Sequence, residues 1–512
     1  MNSVGHTQTR VTSRPFCRPL NWRDHFTDAC HSLRLSPPSN PQLALLTGFK
    51  AQYKTLKALP RRQRRLIQRQ WKHSLAGVAL MSALCAQPAL AATINVGGQC
   101  TLARAIVSAN NDASPRGFCR PGRGADTIVL PRNSTQTLTA VNNNTAEFGL
   151  TGLPVIRSVI TIAGNGSTIR RASSAPAFRL FAVDRIDISG STCQSCGNLT
   201  LRDMRLTGGK AVASAASSSS PNGGALIRLG GVVTLRNVIV SGNTAAGSGG
   251  GLNTGGASDV FEPGSMTLID STVSGNRASG KGGGIGNFEY GSVWMTNSTV
   301  SGNTAGTDGG GVFNGYQSDV TVTNSTISGN IARNGGGIHS YDSRSGFDVR
   351  IANSTITGNR ARSGGGGIWT YPLDMQGSIV SGNRAANGQE IYIPENDPVA
   401  ASTFNLVGHS GLTSAQAFVN FTPAGTDITA TSDGDTPTAL GAILNRSLAS
   451  NGGRTRTHAL VTGSPAIDAI NNGTCPPPAR DQRGVSRPRD GNGDGGPACD
   501  IGSFEVSKAP AS

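Results

Sequence analysis

The sequence predicts an all-β chain folded as a parallel β-helix, and three observations carry that prediction. A block reading N-S-T-V/I-S-G-N ends at Asn276, Asn303, Asn330 and Asn359, with a looser copy ending at Asn243 and a degenerate one at Asn383. The steps are 33, 27, 27, 29 and 24 residues, a period that marks one supersecondary unit stacked many times. Each copy is too short to bury a core alone and must use its neighbours. The copies also keep their apolar residues in register. No helical pattern of useful length falls between them, which excludes βαβ units.

The first element is the leader. Of the formal charge of +16, residues 1–91 carry 14 Lys/Arg against 2 Asp/Glu, giving +12, and the remainder 31 against 27, giving +4. The basicity therefore belongs to the leader, and the rest of the chain has little electrostatic reason to bind nucleic acid. Arg61-Arg62-Gln63-Arg64-Arg65 and Lys72 precede an apolar run from Leu75 to about Leu84, and Ala89-Leu90-Ala91 forms a small-x-small site. This is the pattern of a secretory signal peptide cut between Ala91 and Ala92. Gln87, Pro88 and the shortness of the run speak against a retained membrane helix. Residues 1–55 either extend the leader or place the start too far upstream.

Residues 92–123 read as an N-terminal cap. Leu102, Ala105, Ile106 and Ala109 share one helical face, and the open end of a β-helix needs such a cover. Six cysteines follow the leader: Cys100, Cys119, Cys193, Cys196, Cys475 and Cys499. An even number in three local pairs, in an exported chain, reads as disulfides. Cys193-Gln194-Ser195-Cys196 has a metal half-site or a redox pair as its other reading.

Residues 124–410 are the coils. In one copy, Val320–Thr323 alternates apolar and polar, Asn324 interrupts, Ser325–Ser328 alternates again, and after Gly335-Gly336-Gly337 comes Ile338–Tyr341. This reads as three short strands with sharp corners. Val293, Val320 and Val349 make one inward column; Val273, Val300, Ile327 and Ile356 another; Ile285, Val312, Ile338 and Ile368 a third. Asparagines at the corners tolerate left-handed backbone and pass amide hydrogen bonds up the stack. The glycine triplets supply positive φ. With 69 glycines the alternative is low-complexity disorder, but disorder does not hold apolar columns in register. Residues 411–455 read as terminal coils or linker, and 456–507 as a C-terminal module.

The segment from Cys100 to Asn110 resembles the CSLREA motif that opens many bacterial secreted β-helix proteins, with Ala103-Arg104 where that family has Arg-Glu. Gly124–Pro131 and Ile160–Gly166 are similar to that family's first coils. The tail resembles the choice-of-anchor Q module through Gly463–Ala469, Asp481-Gln482-Arg483-Gly484, Arg487-Pro488, Asp490–Gly495 and Cys499–Glu505. The resemblance covers roughly residues 94–507. It implies a right-handed, pectin-lyase-like solenoid on a secreted or cell-surface bacterial protein, and says little of activity.

Candidate chemistry lies in three places. Asp490, Asn492, Asp494 and Asp500 form an oxygen-rich set whose D-x-N-x-D-G start is that of a calcium loop, although Ile501 stands where an EF-hand has its glutamate. The alternative is a glycine-rich turn pinned by a Cys475–Cys499 bridge. Counting from each triplet, the outward positions carry Phe313, His339 and Trp369, and then Phe288, Tyr341 and Tyr371, in a chain only 5% aromatic. Such a face suits sugar rings; its alternatives are a cover for the core and a protein contact. Asp319 and Asp348 occupy equivalent positions in successive coils with Arg350 beside them, the set nearest to a lyase or hydrolase site.

The expected function is a monomeric, secreted or surface-bound binding protein, an adhesin for glycans, with calcium as the one cofactor considered and no stable membrane span after processing. A polysaccharide lyase or glycoside hydrolase acting on acidic polysaccharides, and a structural spacer, are the alternatives.

Overall fold

The computed structural model describes residues 91–184, 197–213, 221–255, 265–288, 290–341, 349–394, 401–471, 473 and 475–507. Residues 1–90 of the leader and the Cys193–Cys196 pair lie outside them. The described residues form a parallel β-helix whose strands stack into sheets of 19, nine and six strands, beside one antiparallel hairpin at residues 143–151. The inward columns run as expected. Val293, Val320, Val349 and Leu373 follow one another in register, as do Ile285, Val312, Ile338, Ile368 and Ile391. All are buried, in one cluster that reaches from Ala92 to Phe421.

The coils between Ser265 and Trp369 have four strands each, not the three their sequence suggests. In the representative coil they are Asp319–Thr323, Thr326–Ser328, Ile331–Ala332 and Ile338–Ser340. The first two belong to the long sheet, parted by Asn324 at φ 52°. The third is a two-residue rung in which only Ala332 turns inward, too short for alternation to reveal.

The glycine triplet has a different reason at each position. Gly309 has φ +69°, a conformation that favours glycine. Gly310 and Gly311 are matters of room. A Cβ on Gly310 would stand 2.4 Å from the Gly336 carbonyl oxygen, and one on Gly311 would stand 2.7 Å from the Gly337 oxygen and 3.1 Å from Asn330 Nδ2. Positive φ therefore accounts for one glycine in three; the closely stacked backbone of the next coil, joined at Gly311 by the Asn330 amide, accounts for the rest.

That ladder runs unbroken through Asn243, Asn276, Asn303, Asn330, Asn359 and Asn383. Each Nδ2 donates to the next Oδ1 at 2.9–3.0 Å. Asn383 Nδ2 donates to Glu390 Oε2 at 2.7 Å, because the glycine of the last triplet has become Glu390. Burial pushes the Glu390 carboxyl up to about 8, while donors from Asn383 and Gly382 pull the other way. A second ladder uses serine: the backbone N–H groups of Ser271, Ser298, Ser325 and Ser354 donate to the next Oγ at 3.0–3.1 Å. It continues from Ser378 to Asn405 and ends on Asp427. Both ladders thus finish on an acidic side chain, whose oxygens accept the last donor. The corner asparagines make only a partial ladder: Asn324 donates to Asn297 and Asn297 to Asp270.

The cap forms as its pattern predicts. Helix Leu102–Asn110 buries Leu102, Ala105, Ile106 and Ala109, and Thr101 Oγ1 accepts the Arg104 N–H. Cys100 bonds Cys119 at its start.

The C-terminal module does not prolong the coil. It folds back along the side of the long sheet, over outward hydroxyls of three coils and the backbone of a fourth. Thr299 Oγ1 donates to the Arg456 oxygen at 2.7 Å, Thr326 Oγ1 to Gln482 Oε1 at 2.7 Å, and Ser328 Oγ meets His458 Nε2 at 2.8 Å. Asn353 Nδ2 reaches the oxygens of Pro476 and Pro477, Ser503 N–H donates to Thr355 Oγ1, and Gly502 N–H to the Gly377 oxygen. Ile443, Leu444, Ile470 and Ile501 pack with Ile379 and Leu406 of the coil in a second apolar cluster.

Candidate functional site

The second sheet sets the aromatic residues in one column. Gly286, Phe313, His339, Trp369 and Tyr392 are paired in register, one per coil. His339 lies 4.1 Å from Trp369 and 5.6 Å from Phe313, with interplanar angles of 6° and 16°. Trp369 and Tyr392 are 6.1 Å apart at 6°. Phe288 flanks Phe313 at 5.0 Å, and Tyr371 meets Trp369 edge-on at 5.6 Å. These rings turn their faces along the coil axis onto one another. Phe313 and His339 are buried; Trp369, Tyr392, Tyr371 and Phe288 are half-buried, so the stack shows its edges to solvent. Tyr341 is 58% exposed, with the Lys281 ammonium 5.6 Å from its ring and 4.5 Å from that of Phe313. Burial pushes the His339 imidazole down to about 4, and Lys281 and Arg333 add to this against Asp308. At neutral pH the ring is therefore an uncharged member of the stack.

Tyr392 escaped the sequence pattern because its coil reads Gly388-Gln389-Glu390-Ile391-Tyr392, with one glycine of the triplet left. Counting from that first glycine would have found it. A shallow open groove on the long sheet was also missed. It is lined by Arg132, Asn133, Thr168, Asp203, Arg205 and Asn237, which come from four successive coils before the recurring block becomes regular.

The acidic column is only partly described. Asp319 pairs with Ser292 in register, and Asp348 lies outside the described residues. Arg350 pairs with Asp374 of the next coil, Nε to Oδ2 at 3.8 Å.

In the tail, Asp490, Asn492 and Asp494 form a turn near the surface, whereas Asp500 is buried. Asp490 accepts the N–H groups of Gly493 and Gly495, Asp494 that of Gly496, and Asn492 Oδ1 that of Asp494. Asp500 accepts the N–H groups of Asp468 and Val506, and burial raises its carboxyl to about 6. Among the described residues no three His, Cys, Asp or Glu side chains gather as metal ligands. Cys475 bonds Cys499.

The remaining tail motifs form one buried polar knot. Arg487 Nε lies 3.5 Å from Glu505 Oε2, both side chains wholly buried, and its Nη atoms donate to the oxygens of Asp500 and Gly502. Asp481 pairs with Arg483 and accepts the Glu505 N–H; the Arg483 guanidinium stacks 3.5 Å from the Phe504 ring centroid. Burial, with Asp500 nearby, pushes the Glu505 carboxyl up to about 8. The motifs thus hold the module together and join it to the coil.

No protein-family model matches the chain, and no curated protein matches it. Among solved structures it is similar to the crystal structure of pectate lyase Pel9A, at 15% identity and a TM-score of 0.37, over 74% of this chain and 88% of that one. Among the described residues no helix is long and apolar enough to cross a membrane.

Proposed function

We propose that the chain is a secreted or cell-surface β-helix protein of the CSLREA and choice-of-anchor Q type that binds a glycan along its second sheet. The observation that supports this is the register of Phe313, His339, Trp369 and Tyr392. One aromatic edge per coil repeats about every 4.8 Å, and an extended polymer can follow it. With Phe313 and His339 buried in the stack, the contacting groups are Trp369, Tyr371, Tyr392 and the exposed Tyr341, with Lys281 as a cation beside them. On a glycan array, Trp369→Ala and Tyr371→Ala should each weaken binding roughly tenfold, the equivalent of about 1.4 kcal/mol. Trp294→Ala, an exposed ring on the long sheet, should change nothing. Unaltered binding in the first two variants would reject the reading.

Calcium at the tail turn is a separate proposal, supported by the surface carboxylates of Asp490 and Asp494. Calorimetric titration should give heat with calcium, and chelation should lower the melting temperature. Absence of both would remove the metal. The alternative is a polysaccharide lyase or hydrolase with Arg350, which lies 3.8 Å from Asp374 of the next coil, as its base.

A further inference from the structure

Asp126 carries a buried carboxylate with one oxygen unused. The residue is 1% exposed, at the start of the strand Asp126–Val129. Its Oδ1 accepts the Arg123 N–H at 2.8 Å and the Ala92 N–H at 3.0 Å. Its Oδ2 is buried and accepts no hydrogen bond, and among the described residues no Lys, Arg or His makes an ion pair with it. Burial raises its carboxyl above the usual range against those two donors, and Asp112 adds to the rise. A buried acid of this kind calls for a cation.

The nitrogen that already touches it belongs to the residue after the expected cleavage site. Ala92 is 4% exposed. Its oxygen accepts the Thr127 N–H at 2.9 Å, and Thr93–Asn95 then lies as the first rung on Thr127–Val129. Ala91, one residue earlier, is exposed. The Ala92 nitrogen is thus fixed against Asp126 where the Ala89-Leu90-Ala91 pattern ends.

We propose that removal of the leader frees an α-ammonium group at Ala92, which forms a buried ion pair with Asp126 and completes the first rung. A signal peptidase hydrolyses the Ala91–Ala92 amide with one water. Ala91 leaves as a carboxylate, and the Ala92 nitrogen keeps the bonding electron pair and becomes –NH3+. An amide nitrogen offers one N–H; the ammonium offers three, enough for both Asp126 oxygens, and brings the missing charge. Export processing and stability of the cap are then linked: the unprocessed chain folds with an unpaired acid beneath its cap.

This rests on the export reading, and the test separates the two. Intact mass and N-terminal sequencing of the exported protein should give Ala92 as its first residue. Retention of the leader would overturn both readings, and a cut elsewhere would overturn this one alone. Purified chains beginning at Ala92 and at Ala91 should differ in melting temperature by roughly 5 °C or more, the longer being less stable. The difference should vanish in Asp126→Asn. N-terminal acetylation of the chain beginning at Ala92 removes the charge without altering a residue, and should cost as much as the added alanine. The α-amine should also resist reductive methylation in the Ala92 chain and react in the Ala91 chain. Equal melting temperatures and equal labelling would overturn the proposal.

Discussion

Arg487→Ala lowers the stability of the chain by about 3–5 kcal/mol, the usual cost of removing one partner from a buried ion pair. The guanidinium holds Glu505 at 3.5 Å and satisfies the oxygens of Asp500 and Gly502. Alanine leaves three buried acceptors without it. Urea denaturation followed by circular dichroism reads the loss, and limited proteolysis should show residues 456–507 released before the coils are cut. Glu505→Gln in the same background should recover part of the loss above pH 8, because the amide cannot ionise in the buried site. A loss below about 0.5 kcal/mol would mean that the knot does not hold the module.

The same knot fixes the sign of a pH effect. Asp500 moves from 3.8 to about 6 and Glu505 from 4.5 to about 8 on folding. Raised carboxyl values stabilise fully below the unfolded values near 4, and that contribution is lost as pH rises through 6 and then 8. Release of the module by protease should therefore quicken between pH 4 and 8. Slower release over that range would contradict the assignment.

Asn330→Ala in the middle of the amide ladder has an effect of similar size. It deprives Asn303 N–H and Nδ2 of their shared acceptor, and the Val300 oxygen and Asn359 Oδ1 of a donor. At about 1–3 kcal/mol for each buried group left unsatisfied, with partial relaxation, the loss should reach about 4 kcal/mol. Denaturant unfolding measures it, and hydrogen exchange should show the Asn303 amide losing protection first. A loss under about 1 kcal/mol would mean that water or a neighbour replaces the amide.

The coils were legible because every copy states the same pattern: the Val293–Val320–Val349 column could be read from spacing alone. What the pattern could not state was anything made once. The module meets the coil through pairs such as Thr326–Gln482 and Thr355–Ser503, some 150 residues apart, with no repeat to announce them. Periodicity identified Phe313, His339 and Trp369 as outward, but did not reveal that their faces lie on one another. Four acidic or amide residues close in sequence suggested one ligand shell, yet a short buried segment carries Asp500 into the knot and leaves Asp490 at the surface. The third strand, two residues long, falls below the length at which alternation carries information.

The sideways seating of the tail has a mechanical consequence. Tension applied at residues 505–507 would run first through the contacts that cross from the module to four adjacent rungs, loading them in shear and together. The stacked coils would feel little until those contacts failed. The protein could therefore yield in two stages under load, shedding its flank before its rod begins to unwind.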